Sequence, residues 1–305
     1  MNHLLSSQDL SHEQLLGLFD KAKSFLPTVK EKKMLKLAEG KILATLFYEP
    51  STRTRFSFET AMLRLGGKVI SNPQMEGTSS ATKGESLYDT GKTVSEMADI
   101  IAMRHSAMGS VAELAQGSKV PVMNGGDGAG DHPTQGLLDL FTIRENLGRL
   151  ENFTIAIIGD LKNSRVAHAQ CALLSKFEGV KFIFVAPAEL KMPKVIVDGL
   201  INKGFSVSET EDMAAVMEEA DVISMTRVQK ERFEKEADYL KHKGVYVITV
   251  ELMKKAKKDA LLIHPLPRVD EIEVEVDADP RAKYFEQVEN GVALRMALIA
   301  TLLKL

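Results

Sequence analysis

Apolar positions along the chain fall into two kinds of run that alternate from end to end. Leu15, Leu18, Phe19, Ala22 and Phe25 recur at helical spacing behind Ser11 and Gln14, a capping-box pair, so the chain is expected to open on a helix. Ile42-Leu43-Ala44-Thr45-Leu46-Phe47-Tyr48 is short and β-rich, the length and composition of a strand. Phe58, Ala61, Met62 and Leu65 then give the stripe of a helix that stops at Gly66-Gly67. A short strand at Val69-Ile70, a helix carrying Leu87, Gly91, Val94 and Ala98, and strands at 99–104 and 120–123 follow. Asn124 to Gly130 reads as a glycine-rich loop, and Pro133 to Leu147 as a helix ended by Gly148.

A second series starts at the strand 153–159 and continues through strands near 181–186, 221–226 and 260–264. Val245 to Val250 runs straight into Glu251-Leu252-Met253-Lys254 and fits strand and helix alike. The chain closes on an apolar helix at about 282–304. The strand runs are apolar throughout, as a parallel sheet covered on both faces requires. The expected fold is α/β, with two domains, each a mostly parallel sheet flanked by helices, joined by linking helices. The expected division is 1–135, with the helix 286–305 packing back on it, and 136–285.

Composition narrows the function. A net charge of -3 over 305 residues offers no basic field for nucleic acid or an anionic membrane, so anion affinity must be local. Cys171 is the single cysteine, which excludes an internal disulfide and a cysteine-based metal site and suits a reducing, cytoplasmic setting. Its simplest reading is a small buried hydrophobe. No basic segment followed by an apolar core marks a signal peptide at the N-terminus, and no apolar run approaches the ~18 residues of a membrane span.

The local anion site is conspicuous. Ser51-Thr52-Arg53-Thr54-Arg55 lies between the strand and the helix, where unpaired N–H groups and the helix dipole already favour an anion. Hydroxyl donors and planar guanidiniums add up to a phosphate pocket; the plainer alternative is a Ser/Thr cap with solvated arginines. Arg104-His105 ends a strand, His132-Pro133-Thr134-Gln135 opens a helix, and His264-Pro265-Leu266-Pro267-Arg268 follows another strand. Two prolines in that last turn cannot donate, which leaves carbonyls for an amine; a rigid structural turn is the alternative. Arg165 and Arg227 follow strands of the second series and suit a dicarboxylate, one carboxylate each, if they are not surface ion pairs. The polar stretch 72–84 is long for a connection and reads as mobile or functional.

In this order, Ser51-Thr52-Arg53-Thr54-Arg55, His132-Pro133-Thr134-Gln135 and His264-Pro265-Leu266-Pro267-Arg268 resemble the aspartate/ornithine carbamoyltransferase superfamily. Lys83-Gly84-Glu85-Ser86, Asp127-Gly128, Gly159-Asp160-Leu161-Lys162 and Met225 through Arg232 extend the resemblance over essentially the whole chain. It is closest to the aspartate branch, because the ornithine branch typically has His-Pro-Cys-Gln and His-Cys-Leu-Pro where this chain has no cysteine.

The resemblance implies that 1–135 binds carbamoyl phosphate and 136–285 binds aspartate, giving N-carbamoyl-L-aspartate and phosphate early in pyrimidine synthesis. It implies Ser51, Thr52, Arg53, Thr54, Ser79, Arg104, His132, Gln135, Leu266 and Pro267 on carbamoyl phosphate. Lys83, Arg165, Arg227 and Gln229 would take aspartate, and Arg53, Thr54, Lys83, Arg104 and His132 would be catalytic. Ser79 and Lys83 would enter from a neighbouring subunit, so the expected unit is a homotrimer with shared sites. Thr82 departs from relatives that carry a second lysine there. No cofactor and no metal are expected in this chain. A separate zinc-bearing regulatory chain, two catalytic trimers with three regulatory dimers, is the expected larger assembly, with a free-standing trimer as runner-up.

Three rivals are weaker. A nicotinamide-dependent dehydrogenase needs G-x-G-x-x-G, which Gly159-Asp160-Leu161-Lys162-Asn163-Ser164 lacks. A scaffold would not need Lys83, Arg104 and His132 together. A carbamoyltransferase for another amine, such as ornithine, would share the phosphate half but not the two arginines.

Overall fold

The computed structural model describes residues 2–75, 83–128, 130–229, 233 and 235–305. The chain divides into two compact units, Met1–Leu138 with Val288–Leu305, and Asp139–Gln287.

In the first unit, α1 (His12–Lys30) opens on the expected capping box, with Ser11 and Gln14 bonding each other's backbone. The order is then β1 (Ile42–Phe47), α2 (Thr52–Arg64), β2 (Lys68–Asn72), α3 (Leu87–Val94), β3 (Ile100–His105), α4 (Ser110–Gly117) and β4 (Val122–Asp127). All pairings are parallel and the strand order is β2-β1-β3-β4. The chain builds outward in opposite directions from β1 and β3, so the switch point lies between their C-terminal ends, where open α/β sheets bind ligands.

The second unit follows the same logic. Helix α5 (Pro133–Leu147) leads to β5 (Thr154–Ile158), α6 (Arg165–Leu174), β6 (Lys181–Val185), α7 (Lys194–Asn202), β7 (Ser206–Thr210), α8 (Met213–Val216) and β8 (Val222–Met225). After these come α9 (Glu236–His242), α10 (Val250–Met253), β9 (Leu261–Ile263) and α11 (Glu286–Leu302). The parallel order β7-β6-β5-β8-β9 puts the switch point between β5 and β8. The unit division falls inside α5 and at the start of α11.

Several elements differ from the sequence reading, each for a physical reason. Asn124-Gly125-Gly126-Asp127 is strand, not loop. A β-carbon at Gly125 would lie 3.2 Å from the Met103 carbonyl oxygen, so glycine there relieves a tight approach to the backbone of the neighbouring strand β3. Strands buried along most of their length hold through both sheets except at β2 and β7, the outermost strand on one side of each sheet, whose residues are half-buried or exposed. Helices α4, α7 and α8 and strand β7 are additions to the expected elements. The ambiguous run 245–250 is neither long strand nor long helix. Ile248 makes a single parallel bridge to Ile272, and Thr249 accepts from the Leu252 N–H to start α10.

The N-terminal segment is a further addition. Leu4 donates to the Val122 carbonyl and accepts from the Asn124 N–H, extending the sheet beside β4. Asp131 then receives the Ser7 N–H at 2.5 Å and the Ser7 hydroxyl at 2.8 Å. This ties the chain start to the segment just before α5.

Candidate active site

The Ser51–Arg55 run sits where the switch-point rule places a ligand in the first unit. Ser51 is the N-cap residue of α2 by backbone geometry, but its side chain makes no capping bond. Its hydroxyl is therefore not spent on the helix, which weakens the plain capping reading. Arg55 turns back to Glu59, 3.7 Å away, one helical turn on, while Arg53 is exposed at the helix start. Across the switch point, β1 and β3 pair Phe47 with Arg104, which brings Arg104 to the same edge.

Arg104 is buried, 9% exposed, with Nη2 3.2 Å from Glu49 and Nη1 donating to the Gly125 carbonyl at 3.3 Å. Thr54 approaches the same glycine, its methyl 3.6 Å from where a Gly125 β-carbon would stand. Thr54 and Arg104 thus flank one bare backbone position. Glu49 was not singled out in the sequence, although it lies two residues before Ser51; it holds the buried guanidinium in place.

His132 is buried and its carbonyl accepts from the Gln135 and Gly136 N–H groups, so it caps α5, with Pro133 as the first helical residue. Arg295 ties this helix start to the middle of α2. It donates to the Thr134 hydroxyl at 3.1 Å and to the Ser57 hydroxyl at 3.0 Å, with its guanidinium 4.8 Å over the Phe58 ring. Arg295 carries no local signal of this role, because it lies far along the chain in α11 from both of its partners. Lys83 is exposed in the turn before α3, whose cap is Ser86. Ser79 lies outside the described residues.

In the second unit the two arginines flank the β5/β8 switch point. Arg165 is the first residue of α6, and Ser164 caps that helix by accepting from the Ala167 N–H. Arg227 lies two residues beyond β8. The Ser164 and Thr226 hydroxyls are 3.3 Å apart, which places the two arginine-bearing segments side by side. Gln229 joins them through its amide nitrogen, which donates to the Asn163 carbonyl at 3.4 Å. Asp160 lies fully buried beneath, its carboxyl pushed up by burial against the pull of Asn163 and the Gln229 backbone. A cavity next to Arg227 is lined by Thr226, Tyr239, His242, Lys243, Tyr246 and Glu271.

Gly159 makes this edge possible. Its φ is +123°, and a β-carbon would stand 2.1 Å from the Thr226 carbonyl oxygen. Gly159→Ala is therefore expected to cost about 1–3 kcal/mol by overpacking and to separate the two arginine segments. A thermal melt together with the KM for acceptor would register both effects.

The segment after β9 is held by its own side chains. His264 is buried; its Nδ1 accepts from the Leu266 N–H at 2.8 Å and its Nε2 is 2.7 Å from Glu271. Leu266 adopts a left-handed φ of +52° and the Leu266–Pro267 bond is cis. Glu271 also receives the Val269 and Asp270 N–H groups, both at 3.1 Å. Further on, Arg268 forks onto Asp277, which Tyr284 also donates to.

Three carboxylates here are held below their ordinary range. Burial pushes Glu271 up, but His264 and backbone N–H groups outweigh it; Arg268 lowers Asp277 and Arg281 lowers Asp279. A lowered folded value means the stabilisation is full above the unfolded range and is lost as pH falls through the folded value. Residues 264–284 are thus expected to loosen on acidification below about pH 4. Hydrogen exchange should rise there earlier than in β5 or β6.

Two family models cover nearly the whole chain. Aspartate/ornithine carbamoyltransferase, carbamoyl-P binding domain, matches residues 2–145, and the Asp/Orn binding domain of the same family matches 151–302. The aspartate carbamoyltransferase catalytic subunit of Methanococcus maripaludis is 48% identical over 302 residues, covering 99% of this chain and 98% of its own. The solved catalytic subunit of aspartate transcarbamoylase from M. jannaschii superposes with a TM-score of 0.93 at 46% identity, covering 100% of this chain and 98% of that one. Aspartate transcarbamoylase from Trypanosoma cruzi, solved with carbamoyl phosphate and aspartate, gives a TM-score of 0.90 at 38% identity, with 98% and 95% coverage. With both family domains matched in order, and with relatives this similar along its whole length, the chain belongs to the aspartate/ornithine carbamoyltransferase family.

Proposed function

We propose that the protein transfers the carbamoyl group of carbamoyl phosphate to the α-amine of L-aspartate, giving N-carbamoyl-L-aspartate and phosphate. The reaction is an early committed step of de novo pyrimidine synthesis, carried out in the cytoplasm. The observation that carries this reading is that the segments bearing Arg165 and Arg227 lie side by side beyond β5 and β8, with Gln229 bonded to the segment before Arg165. Two guanidiniums suit an acceptor with two carboxylates, whereas ornithine would present a second cation to them.

Ser51, Thr52, Arg53, Thr54 and Ser79 hold the phosphate, with Arg104 beside them. Thr54, Arg104 and His132 donate toward the carbamoyl oxygen, and Gln135 with the Leu266 and Pro267 carbonyls takes the carbamoyl amide. The neutral amine attacks the carbamoyl carbon, forming a C–N bond and a tetrahedral oxyanion. The C–O bond to phosphate then breaks, and the leaving phosphate accepts the amine's proton. Donors to the oxyanion are the largest single contribution, with removal of one costing roughly 10²–10³ in rate.

Lys83 and Ser79 act in a neighbouring subunit of a homotrimer. The exposed apolar residues Met34, Phe56 and Leu63 of the first unit are in keeping with such a contact. The relatives' designation as catalytic subunits supports a larger assembly, and the family resemblance makes its further component a separate zinc-bearing regulatory chain. Side-by-side assay of the two acceptors tests the core reading. Carbamoyl-aspartate should form with little citrulline, and citrulline at a matching rate would overturn it.

A further inference from the structure

A buried chain of polar side chains runs under the acceptor half of the site and has a single direction. At its centre is Asp139 of α5, fully buried. One carboxylate oxygen accepts from the Gln170 amide nitrogen of α6 at 2.7 Å, and the other from the Gln287 amide nitrogen of α11, also at 2.7 Å. Gln170 in turn accepts from the Ser224 hydroxyl of β8 at 3.0 Å, and Gln287 accepts from the His264 backbone N–H at 2.8 Å. Gln170, Ser224, His264 and Gln287 are each 3% exposed or less.

The direction follows from what each group can do. A carboxylate with both oxygens engaged by amides accepts on both sides, so each glutamine must turn its NH2 inward and its carbonyl outward. The His264 N–H can only donate, which fixes Gln287 independently. The Ser224 hydroxyl can donate or accept, so on this arm the direction is set by the carboxylate: with the Gln170 carbonyl turned outward, Ser224 donates. The three outer segments are those carrying the proposed acceptor and carbamoyl ligands: α6 begins with Arg165, β8 leads to Arg227, and β9 leads through His264 to Leu266 and Pro267.

We infer that Asp139 is a positioning residue, whose carboxylate orients Gln170 and Gln287 and thereby ties these three ligand-bearing segments together. The assignment rests on the proposed function for the meaning of those segments, but the tie itself does not.

The test exchanges the charge across one bond of the chain. Gln287→Glu alone sets two carboxylates against each other and should lower kcat/KM for aspartate by roughly 10- to 100-fold. Most of the loss should fall in KM, and exchange of the His264 amide should become faster. Adding Asp139→Asn lets the new amide donate to Glu at 287 while its carbonyl still accepts from Gln170, so every group is again paired. The double variant should return to within about threefold of wild type, with slow His264 exchange restored. If the single variant fails to fold, recovery of the wild-type melt in the double serves as the same rescue. A double variant no better than the single, in kinetics, exchange or folding, would overturn the inference. Wild-type protein that forms no carbamoyl-aspartate would count against the proposed function instead, with His264 exchange still reading the tie.

Discussion

Arg53→Ala is expected to lower kcat/KM for carbamoyl phosphate by two to three orders of magnitude while leaving the thermal melt almost unchanged. The separation of the two effects comes from where Arg53 sits. It is exposed at the first turn of α2, so removing it leaves no cavity in the core. Substitutions at such positions usually change stability by within about 0.5 kcal/mol. Against a bound phosphate the same guanidinium would be desolvated, and truncating one partner of such a pair costs about 2–5 kcal/mol. Arg104→Ala should behave differently, because Arg104 is buried and its loss removes the guanidinium paired with Glu49 and bonded to the Gly125 carbonyl. Its melt should fall along with its activity. Steady-state kinetics and calorimetry on the two variants would show the contrast; near-normal turnover of Arg53→Ala at low carbamoyl phosphate would remove Arg53 from the phosphate site.

The second large effect concerns the subunit that supplies Lys83. Lys83→Ala and Arg53→Ala are each expected to be nearly inactive alone. Dissociated, mixed in equal parts and reassembled, they should recover about a quarter of wild-type activity if the trimer is a closed ring with each site shared by neighbours. The figure follows from random association, in which three-quarters of trimers are mixed and each has one intact site of three. Lys83 is exposed in its own chain, as a side chain serving a neighbour needs to be. A mixture with no more activity than its parents would place each site within one chain.

The alternation of strand and helix was legible because it depends on local periodicity, and the central strands β1, β3, β5 and β8 follow it closely. The edge strand β7 and short helices α4 and α8 were not, since their residues carry no long stripe or unbroken apolar run. Asn124 to Asp127 differs from the expected loop because glycine usually marks a turn, whereas here Gly125 yields room to the Met103 carbonyl of β3.

By itself, then, the sequence determined the parallel α/β class and the residue types gathered at strand ends, because burial pattern, capping and motif order are properties of neighbouring residues. Tertiary structure decided which strand ends became neighbours: β1 beside β3 and β5 beside β8, and with them Arg104 beside Thr54 and the Arg165 segment beside the Arg227 segment. It also decided the supporting partners, Glu49 for Arg104, Glu271 for His264, and Asp139 between Gln170 and Gln287. A hydrogen bond or ion pair between residues as far apart as 139 and 287 depends on where the chain returns in space, and no local pattern encodes that return.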